Sequence, residues 1–150
     1  FTPWHLFPFL EGIPRVEIVY HSVHYIDLIR SFLGDPRSVM ARTVPHPDLP
    51  KLASVSSSIL LDYPDPVRAA ISTNHSHRFG GKHQESYLKW EATKGAIKAR
   101  IGLLMDYPRG VGDQFEYCIL KEGSEPQWTS VAINGSWFPE AFVGTMAQMM

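Results

Sequence analysis

Apolar residues recur at helical spacing from Glu17 to Leu33, where Val19, Val23, Ile26, Ile29 and Leu33 form one stripe at roughly 100° per residue. Tyr25, Leu28 and Phe32 widen that stripe until most of the circumference is apolar, which predicts a largely buried helix. Gly34 followed by Pro36 supplies the expected stop. A narrow polar strip of Tyr20, His24, Asp27 and Ser31 runs between the stripe's two edges.

Beyond this helix the period changes from helical to alternating. Ser38 to Val44 reads as a short strand, and the three prolines in Pro45 to Pro50 impose a loop by fixing φ and removing donors. Ser58 to Tyr63 places Ile59, Leu61 and Tyr63 on one face, and Pro64-Asp65-Pro66 turns the chain into a strand over Val67 to His75. After a polar loop from His77 to Gln84, Tyr87 to Ala92 pairs with Ile97 to Leu103 through Thr93-Lys94-Gly95. Asp113 to Leu120 and Trp128 to Ile133 make a further hairpin across Lys121 to Pro126. Pro139-Glu140 opens a closing helix with Phe142, Val143, Met146 and Met149 on one side. The expected fold is one α+β domain over residues 1–150: an open, predominantly antiparallel sheet with helices on one face. Leu88, Trp90, Phe115, Tyr117, Trp128 and Val131 supply apolar area on several strands, so a homo-oligomer formed through the sheet is expected, the alternative being that these rings fill a single core.

Composition narrows the function classes. With 14 basic and 15 acidic side chains the chain lacks the basic surface that nucleic-acid binding needs. No apolar run approaches the length of a membrane span. The single Cys118 cannot form an internal disulfide and suits a reducing compartment, with cytoplasm as the default. There is no alternating βα pattern and no G-x-G-x-x-G, so no dinucleotide site is expected within this chain. The sequence begins at Phe1 and stops inside a helical pattern, as expected of one part of a longer protein.

Candidate chemistry gathers on the first helix. Tyr20 and His24 lie one turn apart, so both reach a ligand beside the helix, and Asp27 can accept a proton from an imidazole nitrogen of His24. A phenol or imidazole so held suits moving a hydroxyl proton; the alternative is a pair of core residues with satisfied polar tips. His75, Ser76, His77 and Arg78 leave a strand for a Gly-containing loop, a placement that suits substrate contacts as well as a solvated loop. Arg15 and Glu17 precede the helix and either cap it or face the cleft. His21 and His24 could share a metal with His75, His77 or His83. No third ligand has defining spacing, however, and the wheel turns His21 away from His24, so no metal site is expected.

The run from Glu17 to Leu33, with Gly34-Asp-Pro36, resembles the helix that opens the C-terminal domain of the Gfo/Idh/MocA (glucose-fructose oxidoreductase and inositol dehydrogenase-like) oxidoreductases. The pattern there is D-x-x-x-H-x-x-D on an apolar helix ending in G-x-P. Leu88 to Lys98 is similar to that family's strand-turn-strand around a G-T-x-G signature, and Ser56 to Asn74 falls where the family has a hairpin. The resemblance spans Arg15 to Leu103 and implies an enzyme whose separate N-terminal Rossmann domain, absent from this chain, binds NAD or NADP. It implies hydride transfer to or from a sugar, cyclitol or related hydroxyl compound, with this part inactive alone. His24 matches the motif histidine, which binds substrate or moves its hydroxyl proton, and Asp27 matches the second carboxylate. Tyr20 stands where the family has Asp, and the Lys of its E-K-P motif belongs to the other domain. Two other readings stand beside this one. One is a non-catalytic ligand-binding or dimerisation module of the same fold, and the other a small metal hydrolase built on the histidines.

Overall fold

The computed structural model describes residues 7–84, 86–102, 110–134 and 142–150. The chain divides into two compact units, Phe1–Arg78 and Phe79–Met150. Both are built on antiparallel strands, and the fold is α+β as the alternation predicts. The strands form two ladders rather than one open sheet: β1-β2-β3 in the first unit and β4-β5-β6-β7 in the second.

In the first unit a π-helical turn, Ile18–Ser22, runs directly into α1 (Val23–Leu33). α1 ends at Gly34, whose φ of 75° only glycine adopts freely and whose N–H donates to Arg30 O. β1 (Ser38–Val44), β2 (Ser56–Asp62) and β3 (Arg68–Asn74) follow in sequence order. β2 alternates strictly: Ser57, Ile59 and Leu61 are buried, while Ser58, Leu60 and Asp62 are exposed. Its register with β3 pairs Leu61 with Ala69, Ile59 with Ile71 and Ser57 with Thr73. The inner face is therefore apolar along most of its length and becomes hydroxyl-bearing at its last rung. Against the apolar part pack Ile18, Tyr25, Ile26, Ile29 and Leu33. Tyr63 ties helix end to sheet by donating its hydroxyl to Gly34 O at 3.0 Å.

A second cluster lies under the loops, where Leu10, Val16, Leu52 and Val55 are buried with Ile13 and Leu49 against them. The Pro-rich loop is irregular as expected, but its end closes a core instead of lying free.

The helix corrects two expectations. Ile18 and Ser22 point inward where the uniform wheel placed Val19 and Val23, which are 55% and 42% exposed. A π turn accommodates one residue more than an α turn, so every position before α1 slips by about one place on the wheel. Nor is α1 a mostly buried helix, because none of its residues is fully buried.

In the second unit β4 (Tyr87–Ala92) and β5 (Gly95–Arg100) join through the two residues Thr93-Lys94. A Cβ at Gly95 would stand 2.4 Å from the Cys118 carbonyl oxygen, so only glycine fits this close approach. β6 (Gln114–Ile119) and β7 (Trp128–Val131) complete the ladder. Register puts Leu88, Trp90, Ile97, Phe115 and Tyr117 on one half-buried face, and Tyr87, Lys89, Lys98, Glu116 and Trp128 on the other. Trp128 thus leaves the aromatic group to which its sequence position assigned it. α2 (Phe142–Met149) forms, with Val143, Met146 and Met149 exposed instead of packed as a closing helix would have them. The expected opening of that helix at Pro139-Glu140, and the strand end at Leu103, lie outside the described residues.

The alternation in β2 sets a direct test. Leu61→Ala, at a site 1% exposed, is expected to cost about 2–5 kcal/mol in urea unfolding followed by circular dichroism. Leu60→Ala, on the outer face, is expected to cost less than about 1 kcal/mol, and equal losses would contradict this register.

Candidate functional site

The inner hydroxyl rung of the first sheet, the π turn and the residue just after β3 converge on one carboxylate. Arg15, in the left-handed region at φ 55°, turns the chain so that Val16 and Glu17 both enter the interior fully buried. The Glu17 N–H donates to Ser54 Oγ at 3.4 Å, and Ser22 Oγ approaches both carboxylate oxygens at 2.8 and 3.0 Å. That contact spans five residues, the reach a π turn provides and an α turn does not. On the sheet side, β3 ends at Asn74 and the His75 N–H donates to Val55 O at 2.9 Å. This places His75 Nε2 at 3.5 Å from Glu17 Oε1. The His21 ring lies against His75 with centroids 4.1 Å apart and a 31° tilt.

Electrostatics follow from this enclosure. Burial alone would raise the Glu17 pKa; the Ser22 hydroxyl bonded to it and the polar groups of His75, Ser57 and Thr73 around it outweigh that and hold the carboxyl at about 2. Burial pushes His21 down to about 4, with the neighbouring His75 and His24 adding to the effect and the Glu17 charge opposing it. At neutral pH the group is therefore a buried carboxylate beside an uncharged His21 imidazole. Chemically, it holds a carboxylate-oriented imidazole and a set of lone pairs aimed into one small space.

In sequence Glu17 reads only as a cap or cleft residue, and the helical wheel turns His21 away from His24. The legible signals were the Glu-x-x-x-His spacing and the Ser57/Thr73 hydroxyls that break an apolar ladder.

The residues singled out from sequence are distributed differently. Tyr20, 40% exposed, sits on the outer side of the π turn with its ring 6.3 Å from Phe9. His24 and Asp27 are exposed on α1, and among the described residues neither takes part in a hydrogen bond or ion pair, so the expected Asp27 contact to His24 is not formed. Both side chains face water, which competes for such a bond. Tyr20 in the π turn and His24 and Asp27 on α1 are each exposed. Of the loop residues, His75 joins the Glu17 cluster, His77 is half-buried, and Arg78 pairs with Asp48 of the Pro-rich loop.

No protein-family model matches the chain, and no curated protein matches it. Among solved structures the chain is similar to the crystal structure of an oxidoreductase from Agrobacterium radiobacter in complex with NAD+, L-tartaric acid and magnesium. The likeness has 20% identity and a TM-score of 0.61, and covers 93% of this chain and 38% of that one. It is a likeness of fold. This chain spans well under half the length of that neighbour. Among the described residues, no helix is long and apolar enough to cross a membrane.

Both shifted groups titrate below their ordinary values of 4.5 and 6.5, so their stabilisation is complete above pH 6.5 and is lost on acidification. His21 acts between 6.5 and about 4, where the unfolded chain binds a proton that the folded one does not; Glu17 acts between 4.5 and about 2. Unfolding free energy is expected to be flat above pH 6.5 and to fall on the order of 3 kcal/mol through the His21 window. His21→Gln should flatten that window, as read by urea midpoints at stepped pH.

Proposed function

We propose that this chain is the substrate-side domain of an NAD- or NADP-dependent oxidoreductase of the Gfo/Idh/MocA kind, acting on a sugar, cyclitol or related hydroxyl compound. The supporting observation is the exposure of Tyr20, His24 and Asp27 along the π turn and first helix, in a fold similar to that of an NAD+-bound oxidoreductase. That neighbour also holds L-tartaric acid, a compound with two hydroxyl-bearing carbons, and is long enough to carry a further domain.

A nicotinamide cofactor bound by a further domain would supply the hydride acceptor or donor. This chain's residues handle the proton. In the oxidising direction His24 takes the hydroxyl proton as the carbon becomes a carbonyl, and it returns that proton in reduction. Tyr20, one turn away, stands where the family pattern has a carboxylate and donates to the same oxygen. Asp27, exposed on the same helix as His24, binds a further hydroxyl. His75, His77 and Arg78 follow β3 and contact the distal part of the substrate. The Tyr at position 20 also favours a second reading, in which the fold is kept as a non-catalytic ligand-binding or dimerisation module.

Turnover of a polyol panel by the longer protein separates these readings. His24→Ala is expected to lower kcat by about 10²–10⁴ with the fold intact; activity indifferent to this change would remove the role of His24. Oligomerisation is assigned to the half-buried face of Leu88, Trp90, Phe115 and Tyr117. Light scattering is expected to report a dimer that Phe115→Lys dissociates, and a monomer at high concentration would contradict it.

A further inference from the structure

The geometry points to Glu17, His21 and His75 as the protein ligands of a divalent transition-metal ion of the zinc type. Each residue offers one donor atom, and the three donors lie within 4.8 Å of one another. Zinc bonds to nitrogen and oxygen of about 2.0–2.2 Å set neighbouring tetrahedral donors roughly 3.4 Å apart, and His75 Nε2 already stands 3.5 Å from Glu17 Oε1. Seating an ion would draw His21 in and splay the two imidazole rings from their 31° tilt.

Three further observations support a cation here. Glu17 is fully buried, and among the described residues no lysine or arginine pairs with it; a charge removed from water demands compensation close by. The carboxylate is also held from behind by Ser22 Oγ, the kind of support that orients metal-bound carboxylates. Finally, Glu17 and His21 stand at and in the π turn, and His75 directly follows β3 with its N–H held by Val55 O. Their spacing is thus set by the backbone rather than by a loose loop.

The donor set selects the ion. Two imidazoles and one carboxylate suit zinc, iron or cobalt, whereas magnesium and calcium prefer all-oxygen shells. Three protein ligands leave a fourth position for water or for an oxygen of a bound hydroxyl or carboxylate compound. The His21 and His75 rings are half-buried overall, while His21 Nδ1 and His75 Nε2 face inward, away from water. This inference uses neither His24 nor the nicotinamide and stands apart from the oxidoreductase reading.

The test is titration of the chelator-treated chain with zinc chloride by calorimetry, and with cobalt chloride by visible absorption. One ion per chain is expected, with the intense d–d bands of tetrahedral cobalt. His21→Ala and His75→Ala are each expected to weaken binding tenfold or more, and His83→Ala to leave it unchanged. Circular dichroism establishes that each variant is folded; because Glu17→Gln can unfold the chain, the histidine variants carry the decision. Absence of saturable binding by the folded wild type, or undiminished affinity in both histidine variants, would overturn the assignment.

Discussion

The structure of the first unit turns on removing one carboxylate from water. Glu17 is fully buried, and an ionised side chain in that position is tolerated only when its lone pairs are met by donors. The Ser22 hydroxyl of the π turn donates to it, and the polar groups of Ser57 on β2, Thr73 on β3 and His75 after β3 stand around it. Satisfying one group therefore fixes the helix entrance against the end of the sheet. The adjoining Val16 and Ser54 are fully buried as well, and Ser54 accepts the Glu17 N–H, so the loop before β2 is drawn into the same arrangement. Apolar packing of Ile59, Leu61 and Ile71 against α1 supplies the bulk of the burial in this region. The polar end decides how far along the sheet the helix can sit.

That requirement also accounts for the π turn. An α-helix starting at Glu17 would bring position 21 over it, and Ser22 would lie a step further round. Widening the turn by one residue lets the Ser22 hydroxyl reach back five residues while His21 stays beside His75. A π turn has poorer backbone geometry than an α turn, and the side-chain contacts to the buried carboxylate offset that loss.

The parts of the fold legible in sequence are those governed by local rules. Gly34 before Pro36 marks the end of α1 because a left-handed residue and a missing donor both forbid continuation. The alternation of Ile59, Leu61 and Tyr63 marks the inner face of β2 because successive side chains point to opposite sides. The strand hairpins after Tyr87 were legible for the same reason. What local rules leave out is partnership. The division into two ladders depends on which edges pair, and alternation within a strand carries no information about that. The site was hidden by a single assumption, a constant turn of 100° per residue. Once the π turn shifts the phase, Ser22 and His21 move inward and Val19 outward, and the chemistry passes from Tyr20 and His24 to Glu17, His21 and His75. A polar residue that interrupts an apolar ladder, as Ser57 and Thr73 do, is a sequence signal that survives such a shift.

The two polar groupings on this helix therefore differ in what they suit. Tyr20, His24 and Asp27 are exposed, and water screens their charges and competes for their hydrogen bonds. Exposed groups of that kind recognise a neutral, many-hydroxyl ligand only where a second surface excludes water from them. Glu17, His21 and His75 are enclosed and carry a fixed negative charge, so they favour a cation without outside help. Burial is the largest influence on His21, with His75 and then His24 adding to it against the Glu17 charge, so its lone pair stays unprotonated at neutral pH and available to such a cation.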